Sequence, residues 1–123
     1  ARLTLAARQW GYLHSEPKGW GHNRAKQLEC EGEPLGLPVL DAGGYLIDAM
    51  FEAGPTLPNP MGGELPLDWP AAWAYGQATG AISEPWEYRA LIDLSRAYLS
   101  AKISGADPLA MPPTEQVTDD RFC

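Results

Sequence analysis

Residues 83–105, SEPWEYRALIDLSRAYLSAKISG, decide the fold class. Ser83 reads as the helix cap, and Glu84 and Glu87 fall in the first turn, where free N–H groups and the helix dipole favour negative charge. Pro85 is tolerated there, because a first-turn N–H has no intrahelical partner to lose. Trp86, Ala90, Leu94, Ala97, Tyr98 and Ala101 recur at steps of four and three, and Leu91 widens that stripe. Arg89, Asp93 and Arg96 share the opposite face, at spacings suited to ion pairs of roughly 0.2–0.5 kcal/mol each. Gly105 and Pro108 end the helix. A long helix with one apolar face needs other apolar faces to lie on, and the rest of the chain offers helical ones.

Leu3 to His14 reads as a first helix, with Leu3, Ala6 or Ala7, Trp10, and Leu13 or His14 at helical spacing. SEPKGWG (15–21) breaks it, and His22–Cys30 reads as a short helix whose only strong apolar residue is Leu28. EGEPLGLPVLDAGG (31–44) is a linker whose Leu35, Leu37, Val39 and Leu40 are expected to lie extended on a core. Asp41 is expected to cap a helix running to Ala53, with Tyr45, Leu46, Ala49, Met50 and Ala53 as its stripe and Phe51 beside it. Gly54 followed by Pro55 stops that helix. Asp68 is expected to cap another, with Pro70 in its first turn, Trp69, Ala72, Trp73 and Gly76 on one face, and Gly80 at its end. The expectation is a mainly α, small single-domain bundle of about four helices with a long Pro/Gly-rich loop. Residues 1–40 form an N-terminal helical segment and linker, 41–104 the helical core, and 105–123 a mobile acidic tail.

Between two of these helices lies GPTLPNPMGGELPLDWP (54–70), with five prolines and three glycines in seventeen positions. It reads as neither helix nor strand, yet it carries Leu57, Met61, Leu65, Leu67 and Trp69. Proline stiffens such a loop and lowers the entropy lost in holding it still. Leu65 and Leu67 are read as packing between the flanking helices. The candidate partner-binding residues are Leu57, Pro58, Pro60, Met61 and Leu65.

The chain has 123 residues, the size of one ordinary domain, and five tryptophans and five tyrosines to build a core. Its net charge of −7 is unevenly spread. Residues 1–26 hold five Lys or Arg against Glu16 alone, whereas residues 27–88 hold ten Asp or Glu and no Lys or Arg. Such a middle repels nucleic acid; it serves solubility, or meets a basic protein partner, or leaves the basic N-terminal segment to meet an acidic one. No apolar run approaches the roughly 20 residues that span a bilayer. The first residues lack a signal-peptide core, and Ala1 fits removal of an initiator Met, so a cytoplasmic product is expected. Cys30 and Cys123 are expected to be free thiols.

Chemistry is sparse. GWG and MGG lack the Lys and Ser/Thr of a phosphate cradle. His14 and His22 are the only histidines, and neither lies in a nucleophile motif. His14, His22 and Cys30 are evenly spaced but follow no known ligand pattern. Glu84 and Glu87 could act as an acid–base pair, but helix-start charge accounts for them better. Stacked indoles suggest sugar binding, although Trp69, Trp73 and Trp86 are expected in the core because they sit on apolar helix faces. No catalytic residue, metal or cofactor is expected.

The stretch YLIDAMFEAGPTLPNPMGGELPLDWPAAWAYGQATGAISEPWEYRALIDLSRAYLSA (45–101) resembles a family of small proteins encoded in the tail-gene clusters of tailed bacteriophages and prophages. The likeness rests on Phe51, Glu52, Gly54 and Pro55; on Met61, Gly62 and Trp69; on Thr79 and Gly80 before Pro85, Trp86 and Glu87; and on Leu91, Leu94, Ser95, Arg96, Tyr98 and Leu99. It covers residues 44–103 and leaves the first 40 residues and the tail outside. The resemblance implies a non-enzymatic tail assembly chaperone in the host cytoplasm that binds the tape-measure or tail-tube protein, without nucleic acid or membrane. A structural tail component of the virion, or a small acidic inhibitor of a host protein, are the alternatives.

Overall fold

The structure is a computed structural model that describes residues 2–37 and 43–113. Five helices and one two-stranded antiparallel ribbon are present among the described residues: α1 (Arg2–His14), α2 (Arg24–Glu31), α3 (Gly44–Ala53), β1 (Thr56–Pro58), β2 (Glu64–Pro66), α4 (Trp69–Thr79) and α5 (Pro85–Ser104). The chain is mainly helical, as its periodicity indicates, and the ribbon is an addition that the sequence reading did not include.

α5 is the axis of the molecule. Its buried side chains are Tyr88, Leu91, Ile92, Leu94, Ser95, Tyr98 and Leu99. Of the expected stripe, Leu91, Leu94 and Tyr98 are buried and Ala90, Ala97 and Ala101 are half-buried, but Trp86 is exposed and the buried face extends instead to Tyr88, Ile92, Ser95 and Leu99. The correction has a steric cause: positions 88, 91, 92, 95, 98 and 99 recur at 3.6-residue spacing and offer broader apolar side chains than the alanines do. The cap also differs. Glu84, not Ser83, is the N-cap, in a capping box where the Glu87 carboxylate accepts from the backbone N–H of Glu84 at 2.9 Å and of Ser83 at 2.8 Å. Arg89–Asp93 and Asp93–Arg96 do not close; the ion pair found among the described residues joins Lys102 to Glu64 at 2.9 Å.

α1 packs along α5 so closely that the backbones nearly touch at Gly11, where a Cβ would lie 2.0 Å from the Tyr98 carbonyl oxygen. Ala6 and Ala7 belong to the same buried cluster as Leu46, Met50, Ile82, Leu91 and Tyr98, so α1 is part of the core rather than an appended segment. α3 buries Leu46, Ile47, Ala49 and Met50 and ends at Gly54, at φ 98°. Tyr45, expected in that stripe, is exposed, and its hydroxyl donates to Glu87 at 2.7 Å. The expected cap of this helix, Asp41, lies outside the described residues.

Residues 54–70 contain the ribbon, with Thr56 opposite Pro66, Leu57 opposite Leu65 and Pro58 opposite Glu64. Proline argued against a strand because it cannot donate to a ladder. In a two-stranded ribbon both strands are edges, and a proline nitrogen facing outward loses no bond. The turn closes by Asn59 N–H donating to Gly63 O at 3.1 Å and Gly62 N–H to Asn59 O at 2.8 Å, with both glycines at positive φ. Ser95 fastens the ribbon to α5. Its buried hydroxyl accepts from the Leu67 N–H at 2.8 Å and donates to the Pro55 carbonyl at 2.7 Å. Leu67 is buried beside it, as its packing role requires.

Residues 105–113, expected to begin a mobile tail, are held against the N-terminal region. Arg24 Nη2 donates to the Gly105 and Asp107 carbonyls, each at 2.9 Å, and Lys18 N–H donates to the Ala106 carbonyl at 3.1 Å. Residues 114–123, the rest of the expected tail with Cys123, lie outside the described residues.

Candidate functional site: a groove of three tryptophans

α4 starts where the Asp68 carboxylate accepts from the Ala71 N–H at 2.9 Å, and it ends at left-handed Gly80. That glycine turns the chain back, Ile82 anchors the turn in the core, and α5 begins at Pro85. Gly76 makes the close approach possible: a Cβ there would sit 2.1 Å from the Tyr88 hydroxyl. Tyr88 fills that notch, with its hydroxyl 3.4 Å from the Ile82 carbonyl it donates to.

Ala72 and Gly76 are the residues of α4 that are buried. Trp69 and Trp73 lie one position on from the buried line, about 100° around the helix, and face outward. Trp69 is 47% exposed, and Trp73 and Trp86 are each 58% exposed. These three indoles were expected in the core, and the structure corrects that. A core face built from alanine and glycine lets α4 approach Tyr88 but leaves no room beneath the helix for an indole.

The three rings border one open groove of about 490 Å³, completed by Ser83, Pro85, Tyr88 and Arg89. Trp73 lies 5.6 Å from the Tyr88 ring at 36°. The Arg89 guanidinium sits 5.7 Å from the centre of the Trp69 ring, in cation–π range. Ser83 and Arg89 are the only hydroxyl and charge on the groove wall apart from the buried Tyr88 hydroxyl. No acid–base pair converges on it.

The candidate partner residues of the ribbon divide. Met61 is 92% exposed at the tip, Pro58 and Pro60 are exposed, and Leu65 is exposed on β2. Leu57 is half-buried and packs on the core, so it is the least available of the set.

The histidines serve packing. His14 is ringed by Trp10, Phe51 and Tyr98 at 5.3–5.7 Å, and its Nδ1 lies 2.6 Å from the Tyr98 hydroxyl. Burial holds its imidazole below the usual range, and the charge of Lys102 adds to the effect. Burial, helped by the Glu64 charge, pushes Tyr98 up to about 12. His22 contacts Gln27 Oε1 at 2.6 Å. Glu64 is held below its ordinary range, first by the Thr56 hydroxyl and then by Lys102.

A second hollow, of about 390 Å³, includes Tyr12, Trp20, Arg24, Leu35 and Pro112 in its wall. Arg24 is 8% exposed, with its guanidinium 4.3 Å from the Tyr12 ring centre and 5.4 Å from that of Trp20. Its donors go to Ser15 Oγ, Tyr12 Oη and the two carbonyls of 105 and 107. Arg24 is therefore a staple between chain ends. Sequence reasoning missed it, because nothing local distinguishes a buried arginine from a solvated one.

Among the described residues, no group of three His, Cys, Asp or Glu could hold a metal ion, and no helix is long and apolar enough to cross a membrane. Cys30 is exposed on α2. Compared with protein-family models, with curated proteins and with solved structures, the chain matches none of them.

Proposed function

We propose that this chain is a non-enzymatic phage tail assembly protein that acts by gripping another tail protein. The observation that carries the binding reading is the convergence of three solvent-facing indoles on one apolar groove. Exposed tryptophans grouped in this way are a feature of binding surfaces, where Trp is enriched among the energetically dominant residues. Covering each half-exposed indole contributes about 3 kcal/mol at the usual area coefficient. Three of them together contribute about 9 kcal/mol, which falls within the roughly 4–15 kcal/mol that association costs. The groove alone thus supports a weak, reversible contact, which suits an assembly factor. The exposed ribbon tip at Pro58, Pro60 and Met61 extends the surface. The tail-protein partner comes from the resemblance of residues 44–103.

The test is co-expression with the tape-measure and tail-tube proteins of the same gene cluster, followed by pull-down. Association is expected for the wild-type chain and is expected to be lost in Trp73→Ala/Trp86→Ala. No association of the wild-type chain, together with normal tails in a gene deletion, overturns the proposal. Mass spectrometry of purified virions separates a transient assembly role, in which the chain is absent, from a structural one.

A further inference from the structure

We propose that the tryptophan groove takes an extended, proline-containing segment of its partner, in the polyproline II conformation and flanked by Lys or Arg. The inference rests on the reading of the groove as a protein-binding surface and specifies what enters it.

The first argument is the chemistry of the wall. Three indoles, Pro85 and the Tyr88 ring supply flat apolar faces, while Ser83 and Arg89 supply almost all the polarity. A sugar brings a hydroxyl on nearly every carbon, and each would be desolvated here with few partners, which is costly. A proline-rich segment brings flat apolar rings and no proline N–H to satisfy. Its carbonyls make no internal hydrogen bonds in polyproline II and point outward.

The second argument is spacing. Trp69 and Trp73 are four residues apart on α4, about 6 Å along its axis. Polyproline II rises about 3.1 Å per residue, so neighbouring indoles meet residues two apart on the ligand. A preformed polyproline II segment also loses little conformational entropy on binding, which matters where the available contact energy is small.

The third argument is charge. No Lys or Arg lies between residues 27 and 88, and exposed Asp68 and Glu84 directly precede the wall residues Trp69 and Pro85. Arg89 is the cation of the groove wall, and it is held over Trp69. Basic residues beside the prolines would meet acidic surroundings on leaving the slot.

The experiment titrates the full chain, followed by its tryptophan fluorescence, with three blocked peptides: KPPLPPKR, its proline-to-alanine counterpart KAALAAKR, and the acidic EPPLPPEE. KPPLPPKR is expected to bind saturably and at least tenfold more tightly than either control. Its affinity is expected to weaken several-fold between 50 and 500 mM NaCl and at least tenfold in Trp73→Ala and in Trp86→Ala. Both variants are checked for unchanged circular dichroism. Equal binding of KAALAAKR, or no binding of KPPLPPKR, overturns the inference. If that happens while Trp73→Ala/Trp86→Ala still abolishes tail-protein capture, the proposed function stands and only the ligand class falls. If KPPLPPKR binds as expected but no tail protein is captured, the ligand class stands and the assembly role falls.

Discussion

Trp73 and Tyr88 lie ring against ring at 5.6 Å, yet one is more than half exposed and the other is 4% exposed. Their substitutions should therefore differ. Trp86→Ala and Trp73→Ala should each lower the melting temperature by less than about 4 °C, the shift that 1 kcal/mol brings in a domain of this size. Tyr88→Ala should cost about 3–5 kcal/mol, because it empties the notch beside Gly76. Thermal unfolding by circular dichroism checks both. A second residue-scale outcome concerns pH. His14 is packed against Trp10, Phe51 and Tyr98 with Lys102 nearby, and its folded pKa lies below the ordinary 6.5. Below pH 6.5 the unfolded chain then binds the proton that the folded chain refuses. Stability should be unaffected by this group above pH 7 and should fall as the pH drops through 6.5 toward 5. The depressed carboxylates of Glu64 and Glu87 act lower, at and below 4.5, so they leave this window clear. The drop in melting temperature between pH 7.5 and 5 should shrink in His14→Gln. At this scale the sequence showed which residues are aromatic; their exposure depends on residues 15 to 84 positions away, such as Tyr98 opposite His14.

At the scale of elements, the contact of α1 with α5 rests on the absence of a side chain at Gly11. The atom that a methyl group would strike is backbone, the Tyr98 carbonyl oxygen at 2.0 Å, which cannot rotate away. Gly11→Ala should destabilise the chain by about 3 kcal/mol, at the upper end of overpacking costs. Urea unfolding should show it as a lower midpoint with an unchanged slope. Helix ends were legible because their causes are local: Asp68 accepts from Ala71, Gly80 is left-handed, and Gly54 halts α3. The cap of α5 lies one residue beyond the expected Ser83, at Glu84, whose backbone N–H donates to the Glu87 carboxylate that also accepts from Tyr45 of α3. The ribbon was not legible. Its prolines oppose strands in general, and only the pairing of 56–58 with 64–66, fastened by Ser95 from α5, makes their missing N–H groups harmless.

Across the whole molecule, Arg24 joins the segment after α5 to the turn after α1. Four acceptors and two aromatic faces surround its charge. Arg24→Met should cost about 3 kcal/mol, because the Gly105 carbonyl is buried and loses a charge-assisted bond. Limited proteolysis should then cut within 105–113 before the helices. Such a staple is invisible in the sequence, since its partners lie about 80 residues away. By itself the sequence determined that the chain is mainly helical, where most helices begin and end, and that its middle is acidic, because periodicity, caps and charge are properties of neighbouring residues. Only the tertiary structure decided that the indoles of Trp69, Trp73 and Trp86 face solvent around a shared groove. The choice between two apolar stripes on α4 and α5 is made by which one packs more closely, and Gly76 against Tyr88 packs more closely than any arrangement with an indole between the helices.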